Sequence, residues 1–196
     1  MGTRQQILDA AERAMKEKGL AKVTARDIAH EAGYADGTLY THFTHKEDIF
    51  LAVILENLPQ LVASLEENAG KRTVSANLED VVFSALTFYE EIIPLTASFF
   101  AEPELMVRYR EKVREQNGGP QRSYDFLIHY LQEEQGLGRV DEHINPTSVA
   151  VLLLGASFQY VFFQLFTGDN PLSVAKQEFV KNLVQTLMQG ISPDTE

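Results

Sequence analysis

An all-α fold is predicted for this 196-residue chain by three observations. No stretch sustains the period-two alternation of a half-buried strand. Apolar residues recur instead at spacings of three and four along most of the length. Glycines, prolines and cap residues divide those runs into helix-sized pieces. With 44% hydrophobic residues the chain can bury a sizeable core, and with no cysteine it has neither disulfides nor thiolate chemistry.

The elements follow in order. Thr3-x-x-Gln6 has the form of a capping box and opens a first helix to about Lys18. Ile7, Leu8, Ala11, Ala14 and Met15 are its buried stripe, and Gly19 is its stop. Thr24 can cap a second helix by accepting the backbone N–H of Asp27, and Gly33 after Ala32 ends it. The next run, Gly37 to Phe43, is too short to be stable alone. Leu39 and Phe43, four apart, turn inward, which leaves Thr38, Tyr40, Thr41 and His42 outward. Ala35 cannot cap this run with its side chain. Asp36 can, by accepting the N–H of Thr38 or Leu39; alternatively its carboxylate accepts from cytosine N4 in a major groove. Thr44-His45-Lys46-Glu47 reads as a further capping box.

It opens a fourth helix carrying Ile49, Phe50, Val53, Ile54, Leu58, Leu61 and Leu65, with a kink or break expected at Pro59. Gly70 to Thr73 is a loop. A helix from about Asn77 to Ile93 follows, ended or bent by Pro94, then a short apolar segment from Leu95 to Phe100. Glu104 to Glu115 is helical and charged, a surface element. Gly118-Gly119-Pro120 breaks the chain before a helix to about Gln135. Asn145-Pro146 is a cap followed by a first-turn proline, opening a long helix to Thr167 with Gly168 as its stop. The last helix runs from about Ser173 to Gln189 before Gly190.

Several of these residues resemble, at matching spacings, the DNA-binding segment of TetR-type (TetR/AcrR) transcriptional regulators. They are Ile28-Ala29, Ala32-Gly33, Gly37-Thr38-Leu39-Tyr40, His42-Phe43 and Lys46-Glu47-Asp48, preceded by Ile7, Ala10, Ala11, Met15 and Gly19. The resemblance covers roughly the first fifty residues. Two positions depart from it: Ala35 stands where the family usually has a small hydroxyl residue, and Asp36 where it often has a basic one. The resemblance implies an N-terminal three-helix helix-turn-helix domain over residues 1–47. A C-terminal helical ligand-binding and dimerisation domain follows over 48–196. It also implies a ligand-responsive regulator, a repressor, that binds palindromic double-stranded operator DNA as a homodimer and is released by a small hydrophobic effector. The fourth helix, joining both parts, is the expected route of coupling.

The DNA-contacting residues expected on this basis are Thr24, Arg26, Tyr34, Asp36, Gly37, Thr38, Tyr40, Thr41, His42 and Lys46. Tyr40 can hydrogen-bond phosphate, or else pack on the first helix; Lys46 is a phosphate partner or a solvated helix start. Thr24 and Arg26 begin a helix whose N–H groups suit phosphate. The net charge of −11 is unusual for such a protein, but it is unevenly spread. Residues 1–50 carry 7 basic and 8 acidic side chains, so about nine-tenths of the excess acid lies beyond them. Binding should therefore involve few phosphates and fall with salt.

The second part is rich in aromatics. A ligand pocket is expected among Phe88, Ile92, Phe99, Tyr124, Phe158 and Phe162, with Gln159 or His129 as polar anchors, favouring an apolar or aromatic ligand. Val149 to Phe166 approaches a membrane-spanning length, but two glutamines lie within it and no Lys/Arg anchors flank it, so no membrane span is expected. A soluble helix apolar all round must be covered all round. Ala150, Leu153, Leu154 and Ser157, with Phe179, Leu183 and Leu187 of the last helix, are the expected dimer interface, a four-helix bundle about a twofold axis. Ala150, Gly155 and Ala156 permit close helix approach.

No enzyme motif occurs: no G-x-S-x-G, P-loop, G-x-G-x-x-G or H-E-x-x-H. His42 and His45 are three apart but lack a third ligand, so no metal and no cofactor are expected. The amphipathic start has no secretory apolar core, and a cytoplasmic location is expected. A dimeric helical carrier of hydrophobic ligands is the competing reading.

Overall fold

The computed structural model describes residues 2–19, 22–57, 68–96, 103–115, 119–170 and 172–190. All secondary structure among these residues is helical. The chain forms two compact units, Met1–Leu58 with Glu91–Gly119, and Pro59–Glu90 with Pro120–Glu196.

In the first unit, α1 (Thr3–Lys18) buries Ile7, Leu8, Ala10, Ala11, Ala14 and Met15. These positions repeat every three or four residues, so they form one stripe. Its start differs from the expected capping box. Gly2 is the cap, its carbonyl accepting from Gln5 and Gln6, and Thr3 is already helical with no capping side chain. Gly19, at φ 77°, takes the end: its N–H reaches Met15 O at 2.9 Å.

In α2 (Ala25–Ala32), Ile28 and Ala29 are buried. The Thr24 hydroxyl accepts from Asp27 N–H, and the Asp27 carboxylate accepts from Thr24 N–H, so both orphan donors are satisfied. Gly33 closes the helix in the left-handed region, φ 75° and ψ 25°. A β-carbon there would be strained whatever the space around it.

The short α3 (Asp36–Tyr40) ends sooner than the expected run, with Thr41 as its C-cap. Two more N–H groups, of His42 and Phe43, still reach back to Leu39 O, so Phe43 stays on the inward side. α4 (Lys46–Asn57) buries Ile49, Phe50, Leu51, Val53, Ile54 and Leu55. Its start is also shifted: the Asp48 carboxylate accepts from His45 N–H at 2.9 Å, one residue later than a box built on Thr44 and Glu47. Leu58, Pro59, Leu61 and Leu65 lie outside the described residues. α1 packs on both α2 and α4, so Ile7, Met15, Ile28, Leu39, Ile49, Phe50 and Ile54 make one core. Burying a side chain of this size contributes about 1.5–3 kcal/mol.

α5 (Val74–Thr96) begins earlier than the apolar pattern suggested, because Thr73 caps it by accepting Ala76 N–H. It also passes through Pro94. The missing N–H of the proline removes one backbone bond without stopping the helix there. Residues 97–102, which include Phe99 and Phe100, lie outside the described residues. α6 (Pro103–Glu115) is a surface element, with Leu105 buried and α4 beneath it.

The second unit contains α7 (Pro120–Gly136), α8 (Pro146–Thr167) and α9 (Lys176–Gln189). Asn145 caps α8 by accepting Ser148 N–H, Pro146 fills its first turn and Gly168 ends it in the left-handed region. α9 starts three residues later than expected, at Lys176 behind Ala175, because Ser173 sits at φ 52° and cannot be helical. Tyr160 of α8 stacks on Phe179 of α9 at 4.4 Å and donates to Val174 O. Lys176 binds Glu90 at 2.8 Å and so ties α9 to α5.

A buried polar cluster pins the loop before α5. Glu134 is fully buried; its Oε1 accepts from Gly70 N–H, and its Oε2 lies 3.0 Å from Arg139 Nε as an ion pair without hydrogen-bond alignment. Asn77 donates to Lys71 O and to the Tyr130 hydroxyl. Burial pushes the Tyr130 hydroxyl up to about 12, which keeps it neutral.

Candidate nucleic-acid interface

The short helix α3 owes its position to two side chains beneath it. Leu39 is 1% exposed and Phe43 8% exposed. Tyr40, the next residue after Leu39, is 57% exposed. Asp36, Gly37, Thr41 and His42 are exposed as well, and Thr38 is half-buried. Two large apolar anchors packed in the core therefore hold a polar ridge in solvent.

The glycine in that ridge has no reason inside the chain. Gly37 lacks the positive φ that favours glycine, and a β-carbon there would meet nothing within 4 Å. A helical glycine is less stable than alanine by about 0.5–1 kcal/mol. The space it leaves opens outward.

The other expected contacts divide into free and committed groups. Arg26 and His42 are exposed, and neither has a partner among the described residues. Thr24 is committed: its N–H and its hydroxyl proton both go to the Asp27 carboxylate, at 2.9 and 2.6 Å. Lys18, 2.7 Å from Asp27, holds that carboxyl well below the usual carboxylate range, with the Thr24 bonds adding to the effect. The start of α2 thus already carries an anion of its own. Tyr34 donates its hydroxyl to Gln6 Oε1 at 2.5 Å and is half-buried, so it faces α1 rather than a groove. Lys46 donates to Val23 O at 3.1 Å and lies 5.4 Å above the Phe50 ring. One of its three donors thus tethers α4 to the loop before α2. Thr41 donates to Thr38 O.

Asp36 is not a cap. Ala35 occupies the cap position with extended φ and ψ and makes no side-chain bond, and Asp36 is the first helical residue. Arg4 is among the cations the sequence places on or near this face, but its pairing is a new finding: the guanidinium lies 5.4 Å from the Phe43 ring centroid, beside the foot of α3. The signal was present as an arginine in the first turn of an amphipathic helix, but nothing local linked it to Phe43.

In the second unit, aromatic rings form a ladder. Phe158, Phe162 and Phe166 lie four residues apart on α8 and stack at 5.9 and 5.6 Å; Tyr89 meets Phe158 edge-on at 5.5 Å and Phe88 lies beside Tyr89. Burial, and next Tyr124, push the Tyr89 hydroxyl above its ordinary range. Phe88 and Tyr124 are half-buried, while Phe158 and Phe162 are exposed. Two expected polar anchors are not interior: His129 is exposed beside Glu133, and Gln159 is exposed. Ile92 is buried in the first unit, and Phe99 lies outside the described residues.

The expected interface face of α8 is also corrected. Ala150, Leu153, Leu154 and Ser157 are buried within their own unit, with Ser157 donating to Leu153 O. The open face is Val151, Leu152, Phe158, Phe162, Leu165 and Phe166. Gly155 is bare here too, since a β-carbon would meet nothing. α8 is long and apolar enough to cross a membrane by length and composition, and it packs on α7 and α9. On α9, Phe179, Leu183 and Leu187 are half-exposed.

Comparison with known proteins agrees with this geometry. The sequence profile of bacterial regulatory proteins of the tetR family matches residues 7–53, which hold most of α1, all of α2 and α3, and the first two-thirds of α4. The HTH-type transcriptional regulator YvkB of Bacillus subtilis (strain 168), itself uncharacterized, is 23% identical over 193 residues, covering 98% of each chain. A Mesorhizobium loti protein described as a TetR-family transcriptional regulator has a similar fold, with a TM-score of 0.76 at 22% identity over 95% of each chain. So has the transcriptional regulator FadR of Bacillus subtilis, solved in complex with stearoyl-CoA. Its TM-score is 0.68 at 23% identity, over 96% of this chain and 99% of that one. The matched segment thus contains α2 and α3, the braced helix-turn-helix, and the chain along 95% of its length shares the helical fold of a TetR-family transcriptional regulator to which it is similar.

Proposed function

We propose that the chain is a homodimeric repressor that binds palindromic operator DNA through α3 and releases it when a small hydrophobic ligand binds the helical second part. The observation that carries this reading is the placement of Tyr40 in solvent on a helix whose Leu39 is sealed in the core. A helix held that way can enter a major groove without deforming. Tyr40, Thr38, His42 and Arg26 are the working contacts. Thr41, Lys46, Thr24 and Tyr34 position the ridge, because each spends a donor within the chain. Residues 1–47 form the DNA-binding part and 48–196 the ligand-binding and dimerisation part, in a protein of the cytoplasm.

Dimerisation is supported by the open face of α8, which leaves Val151, Leu152, Leu165 and Phe166 in water together with half-exposed residues of α9. A patch of this kind marks an interaction site, and a twofold interface would bury the same patch on both subunits. The effector is apolar with an extended chain, as suggested by the aromatic ladder and by the stearoyl-CoA held in the similarly folded FadR. It acts by binding more tightly to a state whose two α3 helices no longer match the groove spacing; each 1.4 kcal/mol or so of preference shifts DNA affinity about tenfold.

Mobility-shift titration against an operator selected from random duplexes tests the reading. Wild-type affinity should fall with salt, with a shallow slope set by the few phosphate contacts. Tyr40→Ala should bind at least about tenfold more weakly while helicity and dimerisation are unchanged. Equal binding by that variant would remove α3 from the DNA surface.

A further inference from the structure

We propose that Asp36 is a specificity-determining residue that accepts a hydrogen bond from the N4 amino group of one cytosine in each half-site, with Gly37 giving it access. The inference rests on the operator-binding reading above. Asp36 is exposed at the first residue of α3, and its carboxylate has no partner among the described residues. Ala35 already holds the cap position, so the carboxylate is free of the one structural duty its place in the sequence offered. Asp36 and Tyr40 are four apart and therefore share a face, with Gly37 beside them.

On a surface that meets DNA, an unpaired carboxylate is a burden. It repels every phosphate, and no cation pairs with it among the described residues. It becomes an asset only where the groove presents a donor. Guanine and thymine edges present acceptors, O6 and N7 or O4, and repel it. Adenine presents N6–H beside the N7 lone pairs, so attraction and repulsion arrive together. Cytosine presents the N4 amino group with no acceptor on the same edge. The carboxylate thus favours one base and penalises the others, which is discrimination by repulsion as much as by attraction. An aspartate is short, so the helix must lie close to the base for this contact. Gly37 supplies that closeness: a β-carbon there would project into open space on the exposed side of the helix and hold α3 away.

Duplex selection from a random pool at low ionic strength, run with wild type, Asp36→Ala and Asp36→Asn, tests the assignment. Wild type should fix cytosine at one position of each half-site, and replacing that base should weaken binding about tenfold. Asp36→Ala should lose the preference at that position alone and bind unrelated duplexes more tightly. Asp36→Asn should turn the same position toward adenine, whose N6 and N7 suit an amide. Identical base preferences for all three proteins would overturn the assignment while leaving operator binding intact. So would an equal loss of preference at every position, which would mark Asp36 as structural. A wild-type protein that enriches no duplex would overturn both readings together.

Discussion

α3 and α8 both hold side chains in water, yet the two exposures are chemically opposite. α3 is five residues long, and Tyr40, Gly37 and Asp36 stand out from it because Leu39 and Phe43 are locked below. α8 is twenty-two residues long and oily on every side, and its open face is Phe166, Leu165, Leu152 and Val151. A short polar ridge on rigid supports suits a hydrated, charged partner. A long apolar strip suits another apolar strip, because leaving it wet is costly. Exposure alone therefore says little; what the neighbouring buried residues do with the helix decides the kind of partner.

The comparison can be broken at its supports first. Leu39→Ala should destabilise the first unit by about 2–5 kcal/mol, through lost burial and a cavity under α3. Chemical denaturation would show a lower midpoint at unchanged slope, and a wild-type midpoint would mean that α3 does not depend on that anchor. The α8 face comes next. Phe166→Asp should weaken self-association by about tenfold or more, since it puts a charge into the proposed apolar contact. Far-UV dichroism should stay the same, because Phe166 is 77% exposed and contributes little to its own core. Sedimentation showing an undisturbed dimer would move the interface elsewhere. The smallest effect is the most discriminating. Gly37→Ala should stabilise the fold by about 0.5–1 kcal/mol, since a methyl fits the empty space. The same methyl should weaken operator binding. A variant that is more stable and binds as well would show that the bare surface at Gly37 has no partner.

The helix-turn-helix was legible in the sequence because its signals are short-range. Thr24 meets Asp27 three residues on, and Gly33 must end α2, so each neighbourhood determines its own geometry. The Asn145-Pro146 start and Gly168 end of α8 were readable for the same reason. Two capping boxes were misread by one residue, at Thr3 and at Thr44, since a hydroxyl near a helix start competes with Gly2 or with the Asp48 side chain, and only packing chooses. The face of α8 was not legible at all. A helix apolar all round carries no periodic signal, so nothing local showed that Ala150, Leu153, Leu154 and Ser157 turn inward. The exposed face of α3 was visible through the inward spacing of Leu39 and Phe43. The commitments of Tyr34 to Gln6 and of Lys46 to Val23 were not, because they join residues 28 and 23 positions apart.

The Glu134–Arg139 pair constrains how this sequence can drift over generations. Glu134 is sealed while Arg139 keeps 28% of its side chain in water. Losing the arginine first abandons a carboxylate in the interior, at a cost of about 3–5 kcal/mol. Losing the glutamate first leaves a cation that water can still reach. Descendant sequences should therefore shed the acid before the base. A lineage with an uncharged residue at 139 and glutamate still at 134 should be rare, or should carry a new cation supplied from the loop around Lys71.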